Sequence, residues 1–228
     1  MREVVFDTET TGLDPKSGHR LVEVGCIELM NHIPTGESFH RYINPERDMP
    51  DEAFRVHGLS ADFLAKHETF DAHAQALVEF IGDSPLVIHN ADFDMNFLNH
   101  ELTAIGLPIV PRSQAIDTLY IARRKFPGAP ASLDALCKRF NVDLSGRNLH
   151  GALLDAQLLA SVYIELIGGR QAGLELAAAT AATGKQIAAA ASGPIRREPR
   201  PDTVSAEELA KHEEFLKKIK GALWSAAE

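Results

Sequence analysis

At 228 residues and 45% hydrophobic content the chain has enough apolar material for one domain of ordinary size plus a tail, and its two cysteines, Cys26 and Cys137, lie far apart in apolar stretches, which leaves no basis for a disulfide framework or a zinc cluster. The formal charge of −9 argues against blanket neutralisation of nucleic-acid phosphates, so a bound polyanion has to be handled locally, as a divalent cation held by carboxylates can do. Acids interrupt the N-terminal apolar run and no segment reaches the roughly 18 apolar residues of a membrane span, so the expected setting is the reducing cytoplasm.

Residues 4–6 and 22–29 read as strands, and residues 38–43, entered through a Pro34-Thr35-Gly36 turn, complete an antiparallel meander. The pattern then becomes helical: residues 72–81 carry helical apolar spacing, Leu86-Val87-Ile88 is a short buried strand, and residues 95–105 form a helix. Further helices are expected at about residues 117–125, at 133–140 behind a Ser132 cap, and at 152–166. Strands followed by alternating strand and helix give a mixed sheet with helices packed on it, in the α/β or α+β class.

The periodic pattern stops at Gly168-Gly169, and an Ala-rich stretch and a Pro/Arg-rich run follow it in the manner of a linker. Residues 205–224 open with a Ser-x-x-Glu capping box, Ser205 to Glu208, and gather Leu209, Phe215, Leu216, Ile219, Leu223 and Trp224 near one helical face. The expected organisation is a catalytic domain of residues 1–170, a linker of residues 171–204 and a partner-binding tail helix in residues 205–228.

Three places carry chemistry. Asp7 and Glu9 sit two apart at the end of an apolar strand, so both carboxylates share one face and offer a hard cation half of its oxygen ligands; a lone D-x-E also simply ends a strand at its solvent edge. The buried strand 86–88 runs into His89-Asn90-Ala91-Asp92-Phe93-Asp94, where acids at a helix start gain from the helix dipole and where Asp92 is best read as a cap. Asp155 falls among apolar residues of a helix that packs on the sheet, where a carboxylate is costly unless it meets a cation or a donor. His150 precedes that helix, and histidine's ordinary pKa of about 6.5 suits a general base.

In this order, D-x-E, N-x-x-F-D and H-x-x-x-x-D resemble the motifs of the DEDDh 3′→5′ exonuclease family, with histidine at position 150 separating it from the tyrosine branch. Residues 3–169 are more particularly similar to proofreading subunits of replicative DNA polymerases, through residues 6–12, Val56-His57-Gly58-Leu59, residues 87–94, 132–137 and 149–156. The resemblance implies a ribonuclease H-like α/β fold with a mixed five-stranded sheet. It also implies two divalent cations, Mg²⁺ or Mn²⁺, held by Asp7, Glu9, Asp94 and Asp155, and His150 as the base. Asp94 is assigned over Asp92 by its spacing from Asn90. The terminal nucleotide of a DNA 3′ end would meet Glu52 and His57, with Glu9 and Asp155 shared between metal and substrate. Gln171, Leu174 and Leu176 resemble the anchors of a sliding-clamp-binding peptide, with Leu176 in place of the usual aromatic, and the tail falls where the family binds the polymerase catalytic subunit. An RNA-trimming or oligoribonucleotide-degrading member of the family is the alternative, which the long tail disfavours.

Overall fold

The computed structural model describes residues 1–145, 149–168 and 204–219, in two units, Met1–Glu175 and Leu176–Glu228. In the first unit β1 (Arg2–Thr10), β2 (Leu21–Met30) and β3 (Ile33–Tyr42) form the antiparallel meander, and β4 (Leu86–Ile88) and β5 (Ala115–Asp117) add in parallel, giving the order β3-β2-β1-β4-β5. The helices are α1 (Asp51–His57), α2 (Ala61–Leu64), α3 (Phe70–Ile81), α4 (Ala91–Ala104), α5 (Thr118–Lys125), α6 (Leu133–Phe140) and α7 (Ala152–Ile167). This is the expected mixed five-stranded sheet flanked by helices.

Strand alternation divides the core in two. Val4 and Phe6 of β1, with Val24 and Cys26 of β2, face α3 and α4 through Leu77, Phe97 and Leu98. Val5 and Leu29 face the other way, toward Leu136 of α6 and Leu159 and Tyr163 of α7. Because β1 is covered on both sides, acids on it beyond Phe6 are drawn into the protein rather than left at a solvent edge.

Three local expectations are corrected. The β2–β3 turn is Asn31-His32, both residues at positive φ (51° and 67°), the backbone of a tight hairpin turn whose twist matches the flanking strands. Pro34-Thr35-Gly36 instead lies within β3, where an edge position tolerates a residue without an N–H. Helix α4 starts at Ala91, four residues before its expected start, because Asn90 takes the left-handed conformation (φ 68°) that turns the chain sharply out of β4. β1 continues to Thr10, so Asp7 and Glu9 lie inside the strand, paired with Gly25 and Glu23 of β2.

In the second unit α8 (Ala206–Leu216) has the expected capping box, Ser205 Oγ accepting from the Glu208 N–H while the Glu208 carboxylate accepts from the Ser205 N–H. The helix ends before residue 217, shorter than expected, and Leu223 and Trp224 lie outside the described residues. None of its residues is buried. Among the described residues no helix is long and apolar enough to cross a membrane, and Cys26 and Cys137 are buried free thiols.

Candidate active site

The site forms where the carboxyl ends of β1 and β4 meet the first turns of α4 and α7, the crevice at which open α/β sheets commonly bind ligands. Asp7 and Glu9 share the α7 face of β1. Asp94 arrives from the opposite side, buried in the first turn of α4, and accepts a hydrogen bond from Thr8 Oγ1 at 2.7 Å. Thr8 points away from Asp7 and Glu9 by strand alternation, so three successive residues of β1 fix acids on both sides of the strand. Asp92, two residues before Asp94, is exposed and paired with Arg112. It does not cap α4, because Asn90 occupies the cap position, so the expected capping role is corrected.

Asp155 is 4% exposed in the first turn of α7. That helix lies along β1: Tyr163 Oη donates to Glu3 at 2.7 Å, and its eight residues from Asp155 span about 12 Å, close to the roughly 13 Å covered by the four from Asp7 back to Glu3. The approach depends on Gly25, the β2 partner of Asp7, since a Cβ there would lie 2.4 Å from Ala152 C and Leu153 N. A glycine inside an apolar strand signals such close backbone approach. Gly25→Ala is therefore expected to cost about 1–3 kcal/mol of stability through overpacking, read as a lowered denaturation midpoint, and to reduce activity by lifting the start of α7 off the acids.

His150 stands just before α7 with about half its side chain exposed, its backbone N–H donating to Val56 O at 3.1 Å and its Nδ1 3.1 Å from Asp155 Oδ2. With Nδ1 donating to the carboxylate, Nε2 is the basic nitrogen of the neutral ring. Donor atoms of Glu9, His150 and Asp155 lie within 4.8 Å of one another. Asp7 is pushed well above the usual carboxylate range by desolvation first, then by the charges of Asp94, Glu9, Asp155 and Glu23. Burial raises Asp94 from 3.8 to about 7 against the opposing hydrogen bond of Thr8. Carboxylates crowded closely enough for three of them to raise the Asp7 pKa by their charge fit hard divalent cations.

Beside Glu9 a groove of about 470 Å³ runs between residues 10–14 and α1. Glu52, exposed in the first turn of α1, and Phe93 line it. His57 is the buried last residue of α1, where Gly58 in the left-handed conformation ends the helix. Its Nδ1 accepts from the Leu59 N–H at 3.0 Å, so Nε2 carries the proton, yet that buried atom meets the Thr10 carbonyl without a well-formed hydrogen bond. Desolvation lowers the His57 pKa, which keeps the ring neutral and a donor.

The structure thus brings together Asp7, Glu9, Asp94, His150 and Asp155, with Glu52 and His57 along the adjoining groove, while Gln171, Leu174 and Leu176 lie outside the described residues. Sequence reasoning missed Thr8 and Gly25. It also missed Glu23, the buried cross-strand partner of Glu9, whose Oε1 lies 2.7 Å from His40 Nε2.

A family model described as Exonuclease matches residues 4–163. The DNA polymerase III subunit epsilon of Rickettsia felis is 50% identical over 226 residues, covering 96% of this chain and 97% of that protein. The subunit of the same name from Escherichia coli is 40% identical over 239 residues, covering 99% and 98%. Exonuclease X in complex with 5′ overhanging duplex DNA superposes with a TM-score of 0.56 at 24% identity, over 72% of this chain and 90% of that one. The nuclease domain of 3′hExo, a DEDDh family member bound to rAMP, gives a TM-score of 0.62 at 19% identity, over 73% and 91%. The solved structures share the fold; with a family model over most of its length and relatives of one kind along nearly all of it, the chain belongs to the exonuclease family, in the branch of the DNA polymerase III epsilon subunits.

Proposed function

We propose that the chain removes mispaired 3′-terminal nucleotides from DNA as the proofreading nuclease of a replicative polymerase, with Asp7, Glu9, Asp94 and Asp155 as metal ligands and His150 as general base. The observation that carries this reading is the convergence of a basic imidazole nitrogen and four crowded carboxylates on one crevice. Divalent metal use is general to the family, and a pair of Mg²⁺ or Mn²⁺ ions held by these acids would lower the pKa of an attacking water and balance the charge of the scissile phosphate. His150 accepts the water's proton at Nε2 while Asp155 holds the ring in that orientation. The groove beside Glu9 takes the terminal nucleoside against Phe93, with the Nε2–H of His57 and the carboxylate of Glu52 as its polar contacts and Glu9 and Asp155 shared between metal and substrate. Mispaired ends are preferred because a frayed terminus enters such a groove and a paired one does not, so no base readout is needed. The test is degradation of 3′-mispaired DNA, paired DNA and matched RNA with Mg²⁺ or with EDTA: faster release from the mispaired DNA, lost in EDTA, is the expected result, and a preference for RNA would refute the DNA assignment.

Residues 205–228 serve as a tether to the polymerase, on this reading, behind a linker of residues 171–204 that carries a clamp-binding peptide at Gln171, Leu174 and Leu176. Its support is the exposure of Leu209, Phe215 and Ile219 in residues 205–219, large apolar side chains that a free helix gains nothing by presenting. A tethered helix raises the local concentration of the nuclease at the primer end. Truncation after residue 170 is expected to spare hydrolysis of single-stranded DNA and to abolish co-elution with the polymerase subunit in size-exclusion chromatography; equal co-elution of both forms would remove the tether.

A further inference from the structure

The acids stand between two grooves. Glu9 opens onto the one that holds His57 and Phe93, whereas Asp7, His150 and Asp155 open onto a second, walled by His89, Asn90 and the loop before α6. A strand whose scissile phosphate lies on the acids must send its terminal nucleoside into one groove and the rest of its backbone along the other. The first groove has the apolar walls, Leu13, Val56 and Phe93, that suit a base, and among the described residues no lysine or arginine lines it. Among the described residues the second is lined by one cation, Arg123, exposed in the last turn of α5. Among the described residues Arg123 has no carboxylate partner. It is close enough to His89, in the same wall, for its charge to act on that ring, and His89 is itself held by Thr118, Oγ1 lying 2.9 Å from Nδ1.

We propose that Arg123 is a substrate-positioning residue whose guanidinium receives the phosphodiester on the 5′ side of the penultimate nucleotide, the first linkage upstream of the one that is cut. The proposal rests on the nuclease reading above and extends it to the path of the retained strand. In a chain of net charge −9, one arginine in the groove does what a basic surface does elsewhere: it offers a fork of donors to phosphate oxygens at the point where the strand leaves the acids. Arg123 also belongs to the basic last turn of α5 with Arg124 and Lys125, where a positive charge complements the helix dipole. That role would appear in stability and not in substrate binding.

The test uses the full chain and two substrates. The 5′-p-nitrophenyl ester of thymidine monophosphate has no upstream linkage, and a short oligothymidylate has one. Arg123→Ala is expected to raise KM for the oligonucleotide by about tenfold, the scale of one charge-assisted contact, while its kcat, hydrolysis of the ester and the melting temperature stay unchanged. Arg123→Lys should recover part of the loss, and Arg124→Ala should show none. Anisotropy with a labelled oligonucleotide in Ca²⁺ should give the same ratio in Kd, with the salt dependence of binding shallower by about 0.7 in log–log slope. A neutral methylphosphonate at the upstream linkage should raise KM for the unaltered chain by the same factor and leave Arg123→Ala no worse. Additive effects of variant and methylphosphonate, equal losses on both substrates, or no change in KM would each overturn the assignment. Failure of the unaltered chain to hydrolyse either substrate with Mg²⁺ or Mn²⁺ would instead refute the nuclease reading and the proposal with it.

Discussion

Replacing Asp7, Glu9, Asp94 or Asp155 with alanine is expected to slow release of 3′-nucleotides by at least about 10²-fold, the usual loss when a metal-dependent electrostatic contribution is removed. Asp92→Ala, two residues from Asp94 but exposed and paired with Arg112, should leave the rate near that of the parent chain. Steady-state rates on single-stranded DNA with saturating Mn²⁺ decide it, and a dead Asp92→Ala beside an active Asp94→Ala would reverse the assignment. The same crowding has a stability signature. In chelator the folded chain keeps the Asp94 proton up to about pH 7, whereas the unfolded chain releases it near 3.8. Between those values the folded state binds more protons, so stability falls as pH rises through that window, and carboxylate-to-amide changes at Asp94 should flatten the fall. Divalent cations should do likewise by taking the proton's place.

His150→Ala is expected to lower kcat by about 10²- to 10⁴-fold, the range of general-base contributions, while calorimetry still detects divalent-ion binding to the four acids. The acidic limb of the pH–rate profile should lose its dependence on the imidazole. Calorimetry is what separates this from a ligand role: Nδ1 is turned to Asp155 and about half of the side chain is accessible, while donor atoms of Glu9, His150 and Asp155 lie within 4.8 Å of one another. Full activity with an unchanged profile would exclude His150 as the base, and loss of metal binding would recast it as a ligand. Asp155→Asn should mimic part of the effect, because an amide there no longer favours the tautomer with its proton on Nδ1.

Much of this site was legible because its spacings are periodicities. Two acids two apart on a strand share a face wherever the strand ends, so the longer β1 left the pairing of Asp7 with Glu9 intact. A five-residue step from His150 to Asp155 spans the entry and first turn of a helix, which brings the ring back over the carboxylate. Choosing between Asp92 and Asp94 was different, since both lie in the first turn of α4 and what separates them is depth; the motif order supplied what local propensity lacked. Elements set by distant contacts were not legible. β5 is three half-buried residues without an alternation to read, and Asp117, taken as the start of a helix, both ends that strand and caps α5 by accepting from the Leu119 N–H at 2.9 Å. The pairing of Glu23 with His40 and the place of Arg123 beside the acids depend on which strands and loops become neighbours, which no local pattern sets.

The position of α7 over Gly25 also orders events during synthesis. The meander of β1, β2 and β3 is built from neighbouring segments and can form while the rest of the chain is still on the ribosome, whereas the helix carrying Asp155 comes last in its unit. Until it docks, one face of β1 and β2 lacks its cover, and Asp155 and His150, the fourth ligand and the base on the proposed reading, are not yet in place. Closing the second core and completing the nuclease are therefore one step. On the assignment proposed above, a nascent or truncated chain ending before α7 carries Asp7, Glu9 and Asp94 but lacks Asp155, so competence to degrade a 3′ end would be reached only by chains that have finished folding.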